Sequence, residues 1–132
     1  MKIIACYNIK GGVGKTATTV NLAYESAQQG ARTLIWDLDP QGAASFYFRV
    51  KPKVTGGVGR LLRRRKSARS AIRGTDYEGL DLLPADFSAR HIDLIVDSTK
   101  RPKRRLRQLV RSLRKEYDVL FIDCAPSIGV AS

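Results

Sequence analysis

Lys10-Gly11-Gly12-Val13-Gly14-Lys15-Thr16 is the stretch on which the fold turns. Closely spaced glycines let a backbone close around phosphate oxygens with its N–H groups pointing inward, and a helix starting just beyond them adds the positive end of its dipole. Gly11, Gly12 and Gly14 are placed for that role. Lys15 then supplies a mobile cation to the β and γ phosphates, and Thr16 a hydroxyl to Mg²⁺, whose octahedral shell is otherwise mostly water and phosphate. The ordinary phosphate-loop pattern wants a glycine five positions before Gly14, where Ile9 stands. The generic motif is met in part.

The flanks supply the elements such a loop needs. Lys2 to Tyr7 is a short apolar run bounded by the glycine-rich turn, which predicts a buried strand. From Lys15 to Gln29 the apolar positions Val20, Ala23, Tyr24 and Ala27 recur at helical spacing, and Gly30 offers a left-handed stop. Thr33 to Trp36 predicts a second buried strand that delivers Asp37 and Asp39 at its tip. Strand, loop, helix, strand is a βαβ unit. Further on, Leu80-Asp-Leu-Leu-Pro84 reads as a strand and Ser88 to Val96 as a helix. After Pro102, Leu106, Leu109, Val110 and Leu113 form the apolar stripe of a basic helix. Asp118 to Asp123 gives a fourth strand ending in a carboxylate. The expected fold class is α/β, a parallel sheet of about four strands flanked by helices.

Composition sets the frame. At 132 residues, 43% hydrophobic and with five prolines, the chain fits one globular domain. Its apolar runs fall far below the roughly 20 residues of a membrane span and no leader precedes the first strand, so a cytoplasmic location and no membrane role are expected. Cys6 and Cys124 lie beside apolar runs and read as reduced, buried thiols rather than a disulfide or metal pair, and the lone His91 adds no ligand set. The formal charge of +12 is uneven: residues 1–48 carry +1, residues 49–132 carry +11. Such a field attracts polyanions, nucleic acid first among them.

Lys-Gly-Gly-Val-Gly-Lys-Thr, with Lys10 directly before the glycines, resembles the deviant Walker A motif of the ParA/MinD family of partition and positioning ATPases. Trp36-Asp-Leu-Asp-Pro-Gln-Gly42 is similar to the segment after that family's second strand, Tyr117-Asp-Val-Leu-Phe-Ile-Asp-Cys-Ala-Pro-Ser127 to its Walker B strand, and Tyr77-Glu-Gly-Leu-Asp-Leu-Leu-Pro-Ala85 to the segment between them. The likeness is closest to the ParA branch and runs through residues 1–132 as the N-terminal part of its P-loop NTPase domain. It implies ATP and Mg²⁺ as cofactors, with Lys10 to Ala17 around the nucleotide. Lys10, Lys15 and Asp39 would be catalytic, Lys10 reaching across a homodimer interface and Asp39 orienting the attacking water. Thr16, Asp37 and Asp123 would serve the metal. Taken alone, two aspartates at a strand end are more often turn formers. The resemblance further implies weak ATP hydrolysis coupled to dimerisation and DNA binding in plasmid or chromosome segregation, a nucleoid-associated location and a centromere-binding partner protein.

Three departures qualify the likeness. Ala17 stands where the family commonly has a threonine that contacts the α phosphate, and Ala125 replaces a proline. The family's chains are also close to twice as long, so the first strand is expected to lack a neighbour and to recruit one by strand exchange or a non-family dimer. The rival reading is a truncated remnant that binds nucleotide or DNA without turnover.

The DNA-binding residues usually credited in that family lie in the half not matched here. Locally, residues 49–73 hold ten basic and no acidic side chains, and residues 100–115 hold nine basic ones. Arg63, Arg64, Arg65, Lys103, Arg104, Arg107 and Arg111 are candidates for sequence-independent contact with duplex phosphates, against the plainer reading of solvated helix faces. The first of these segments is not assigned regular structure beyond a short possible helix at Leu61 and Leu62.

Overall fold

Strand β1 (Lys2–Cys6) leads into the glycine loop, and helix α1 (Lys15–Gln28) leaves it toward β2 (Thr33–Asp37). The structure, a computed structural model, describes residues 1–7, 14–63 and 65–125, the side chains of residues 65–67 excepted. Four short helices follow or interleave with two strands: α2 (Ala43–Tyr47), α3 (Gly57–Arg63), α4 (Arg65–Ala71), β3 (Arg73–Gly74), β4 (Leu80–Leu83) and, after a 3₁₀ turn at Phe87–His91, α5 (Ile92–Ser98). The basic helix α6 (Pro102–Leu113) and β5 (Val119–Asp123) complete the described chain. The sheet order is β1-β5-β2-β4-β3. Its four longer strands are parallel, and the two-residue β3 pairs antiparallel with β4.

Strand β5, last among the described residues, sits between β1 and β2, so the β1–α1–β2 crossover spans it. All four parallel strands end at one edge, where Cys6, Asp123 and Asp37 stand in register across three neighbours. A ligand site is expected outside such an edge, where the strand order reverses direction.

Period-two alternation divides the core between the two faces. On one face Val20, Ala23 and Ala27 of α1 pack on Ile35, Leu80, Leu82 and Phe121. On the other, Leu34, Trp36, Leu83 and Leu120 meet Leu61 of α3, Ile92 of α5, and Leu109 and Leu113 of α6. Leu34, Ile35 and Leu120 are fully buried, as the near-continuous apolar runs of parallel strands demand. Strand β1 pairs only with β5 among the described residues, and Ile3 on it is 47% exposed.

Two expectations need adjustment. The basic segment 49–73 is largely helical: Val58, Leu61 and Leu62 of α3 and Ala68 and Ala71 of α4 are buried. Small and apolar residues at helical spacing were enough to dock it while Lys51, Lys53, Arg63 and Arg69 stay exposed and Arg60 is half-buried. Cys124 is buried, but Cys6 is only half-buried, because β1 lies at the sheet edge; both thiols are free.

Candidate functional site

Helix α1 begins without a side-chain cap. Its N-cap residue, Gly14, has φ +69°, and a Cβ placed there would meet nothing within 4 Å. A first turn whose N–H groups are left to outside partners is an anion site. Lys15, the first residue of the helix, folds its side chain over the C-terminal edge of the sheet: Nζ donates to Oδ1 of Asp123 at 2.6 Å and to Oδ2 of Asp39 at 3.3 Å. Thr16 Oγ1 donates to the other Asp123 oxygen at 2.9 Å.

Asp123 is fully buried at the end of β5. A carboxylate taken out of water needs charge and hydrogen bonds to compensate, and Lys15 and Thr16 supply both. Thr19 Oγ1 approaches Asp123 Oδ1 at 3.4 Å and donates to the Lys15 carbonyl oxygen at 3.0 Å. Thr19 carried no motif signal, although it follows Lys15 by four residues and so shares its helix face. Burial alone would lower the Lys15 ammonium, but its hydrogen bond and charge attraction to Asp123, reinforced by Asp39, outweigh that and hold it above the usual lysine value.

Asp37 stands one step behind. Its Oδ2 accepts from the backbone N–H and hydroxyl of Ser45 at 2.9 and 2.8 Å, and its Oδ1 from the Asp39 N–H at 3.2 Å. Burial pushes this carboxyl up to about 6 against those hydrogen bonds. Asp37 thus fastens the β2 tip to α2, while Asp39 accepts from the Gln41 N–H and turns its other oxygen to Lys15. Ser45, which also accepts from the Ala85 N–H, had no signal in the sequence beyond lying near the aspartates.

The structure therefore brings Lys15, Thr16, Asp39 and Asp123 together, with Asp37 engaged elsewhere. Ala17 is exposed on the first turn and offers no hydroxyl. Lys10, Gly11, Gly12 and Val13 lie outside the described residues. The Thr16 hydroxyl and the carboxylates are hard oxygen donors, the type Mg²⁺ takes. Among the described residues no group of three or more His, Cys, Asp or Glu could hold a metal ion.

The described candidate polyanion residues stand on α3 and α6, which pack together on one face of the sheet. Lys103, Arg104, Arg107 and Arg111 are exposed on α6 and Arg63 on α3, and Arg105 joins the two helices through Nη1 to the Arg63 carbonyl oxygen at 3.3 Å. Arg64 and the Arg65 side chain lie outside the described residues. No described helix is long and apolar enough to cross a membrane.

A family model described as an AAA domain matches residues 1–132. The chain is similar to the chromosome partitioning protein ParA of Myxococcus xanthus, 36% identical over 98% of this chain and 46% of that protein. Among solved structures it resembles cobyrinic acid a,c-diamide synthase of Mycobacterium smegmatis, crystallised with an ATP analogue and magnesium, with a TM-score of 0.84 and 33% identity over 98% of this chain and 53% of that one. It also resembles a plasmid partition protein of Borrelia burgdorferi, with a TM-score of 0.79 and 28% identity over 96% and 57%. The chain spans about half the length of the curated relatives it matches.

Proposed function

The chain belongs to the AAA domain family, as a ParA/MinD-type P-loop chain matching the N-terminal half of its relatives, and we propose on that premise that it binds Mg-ATP and hydrolyses it slowly in plasmid or chromosome partition. The observation that carries this reading is the cluster in which Lys15 and Thr16, at an uncapped helix start, meet the buried Asp123. A polyphosphate on that helix start would draw the Lys15 ammonium from Asp123 and Asp39 to its β and γ oxygens. Thr16 and Asp123 would hold Mg²⁺, with Asp37 stabilising the strand tip behind them. The ion, when bound, neutralises charge developing on the transferred phosphoryl group. Released from Lys15, Asp39 would orient the attacking water. By the family resemblance Lys10 would reach the nucleotide of a second copy, making the active form a homodimer, and the basic surface would hold DNA without sequence preference. A cytoplasmic, nucleoid-associated site of action and a centromere-binding partner belong to the same reading.

Ala17, with no hydroxyl toward the α phosphate, favours the alternative of a nucleotide- or DNA-binding chain without turnover. Calorimetric titration with Mg-ATP and phosphate-release assays separate the two. The expected result is ATP binding and slow release, both lost in Lys15→Ala, while Asp39→Ala keeps binding and slows release by about 10²–10⁴-fold. Binding without release would favour the alternative, and release unchanged in Lys15→Ala would refute the assignment of the site.

A further inference from the structure

A second concave site shares no residue with the Lys15 cluster. A cavity of about 240 Å³ is lined by Lys53, Val54, Thr55, Arg60, Ser70, Ala71 and Arg73. Those residues come from the loop before α3, from α3 itself, from the end of α4 and from β3, so four separate segments bring three cations and two hydroxyls to one hollow. No acidic side chain lines it. Two carboxylates stand nearby, Asp81 opposite Gly74 and Asp86, which accepts from the Val54 N–H. Burial would raise Asp86, but its hydrogen bonds with Ser88 and Val54 and the charge of Lys53 outweigh that and hold it below the usual range. Three cations and no acid in the lining itself leave the hollow positive.

The cations are positioned by the fold. Arg73 Nη1 is tethered to the carbonyl oxygens of Ser70 and Ile72 at 2.7 and 3.2 Å, so the plane of its guanidinium is set at the end of α4. Arg60 lies over Gly56, where a Cβ would collide with its side chain and where φ is +79°. Glycine at that position thus serves both the turn and the packing of Arg60. The Lys53 side chain is exposed and its charge also acts on Asp86, so it is the mobile cation of the three.

We infer that this hollow is a binding pocket for a terminal phosphate group, separate from the nucleotide loop. Planar guanidinium forks and hydroxyls match phosphate oxygens, and like charges held close together are relieved by a dianion. The volume is that of about eight waters at liquid density and lies below the roughly 300 Å³ at which drug-sized ligand pockets begin. It suits inorganic phosphate, diphosphate or the phosphorylated end of a small molecule, and is too small to enclose a whole nucleoside triphosphate. A concave pocket of this size also favours a terminal dianion over the diester of a duplex, which tracks exposed cations along a surface.

The test is titration of the 132-residue chain with inorganic phosphate and with diphosphate, followed by backbone amide NMR. It is run in a Lys15→Ala background so that anions at the nucleotide loop do not contribute. Saturable shifts are expected at the amides of Thr55, Ser70 and Arg73, unmoved by chloride at equal ionic strength. Arg73→Gln and Lys53→Gln should each weaken the affinity at least tenfold. If Arg73→Gln loses helix content by circular dichroism, Lys53→Gln decides, because the Lys53 side chain is exposed. Shifts that do not saturate, or that persist unchanged in Lys53→Gln, would overturn the pocket. So would shifts at these amides produced by duplex DNA and not by phosphate, which would assign the hollow to backbone diesters.

Discussion

Asp37 shows how a single carboxylate can be held against its own chemistry. It is 1% exposed, burial pushes its pKa up to about 6, and Ser45 and the Asp39 N–H recover only part of the cost. The unfolded chain releases this proton near pH 4, so between about pH 4 and 6 the folded state binds the proton more tightly. The stability it contributes is complete below pH 4 and is lost as pH rises through 6, a change on the order of 3 kcal/mol. Asp118 acts in the opposite direction and in another window. Hydrogen bonds and charge from Arg32 pull it down to about 2, so its contribution is present above about pH 4 and disappears as pH falls through 2. Urea midpoints from pH 4 to 7 should therefore fall with rising pH in the parent, and Asp37→Asn should remove most of that slope while leaving the acid limb. A slope that Asp37→Asn does not change would show that Asp37 titrates as an ordinary aspartate. At this scale the sequence disclosed Lys15, Thr16, Asp39 and Asp123, because glycine spacing and strand tips leave linear signatures. It did not disclose Ser45 or Thr19, whose roles arise only when β2 and β5 bring their carboxylates beside α2 and α1.

Among the elements, α1 links the site to the sheet. Its buried stripe of Thr19, Val20, Ala23 and Ala27 lets the helix lie close on β2, β4 and β5, and the small Ala23 is completely enclosed. Ala23→Leu should cost about 1–3 kcal/mol in urea unfolding by overpacking. Because Lys15 rides on the same helix, it should also weaken Mg-ATP binding in calorimetry. An unchanged urea midpoint would mean that α1 can rise off the sheet without penalty. Elements with a strong apolar period were legible: α1, β2, β5 and the stripe of α6 all fall within a few residues of their expected spans. Helix α3 was legible only as a short helix at Leu61 and Leu62, and α4 not at all, because their ten-cation segment looks too polar to pack. Burial there rests on a few residues: Val58, Leu61, Ala68 and Ala71 join the core with residues of α5, α6 and the sheet, and Leu62 is buried beside them. The helix expected at Ser88–Val96 is divided between a 3₁₀ turn and α5. Asp86 sets that start by accepting from the Ser88 N–H, a cap whose effect on the first turn is local and was not read.

Over the whole molecule, topology gathers what the chain keeps apart. Placing β5 between β1 and β2 brings residue 123 to residues 15 and 16, and stacking α3 and α4 against α6 merges two distant basic segments into one surface. The described cations of α3 and α6 thus stand on elements packed on the side of the sheet opposite α1, whereas the acidic cluster of Asp37, Asp39 and Asp123 lies at the strand ends. Duplex DNA bound on that surface would displace counterions, so the logarithm of affinity should fall linearly with the logarithm of salt concentration, with a slope of about −0.9 per phosphate contacted. Lys103, Arg104, Arg107 and Arg111 are exposed and make no ion pair with a described residue, unlike Arg69, which is paired with Glu116 at 3.0 Å. Arg104→Gln and Arg107→Gln should each reduce the slope by about 1 and weaken binding equally across unrelated sequences, whereas Arg69→Gln should change it less. Fluorescence anisotropy on mixed-sequence duplexes over a range of salt concentrations measures all three. A slope unaffected by the α6 substitutions would remove this surface from the DNA-binding account while leaving the nucleotide site and the phosphate hollow untouched.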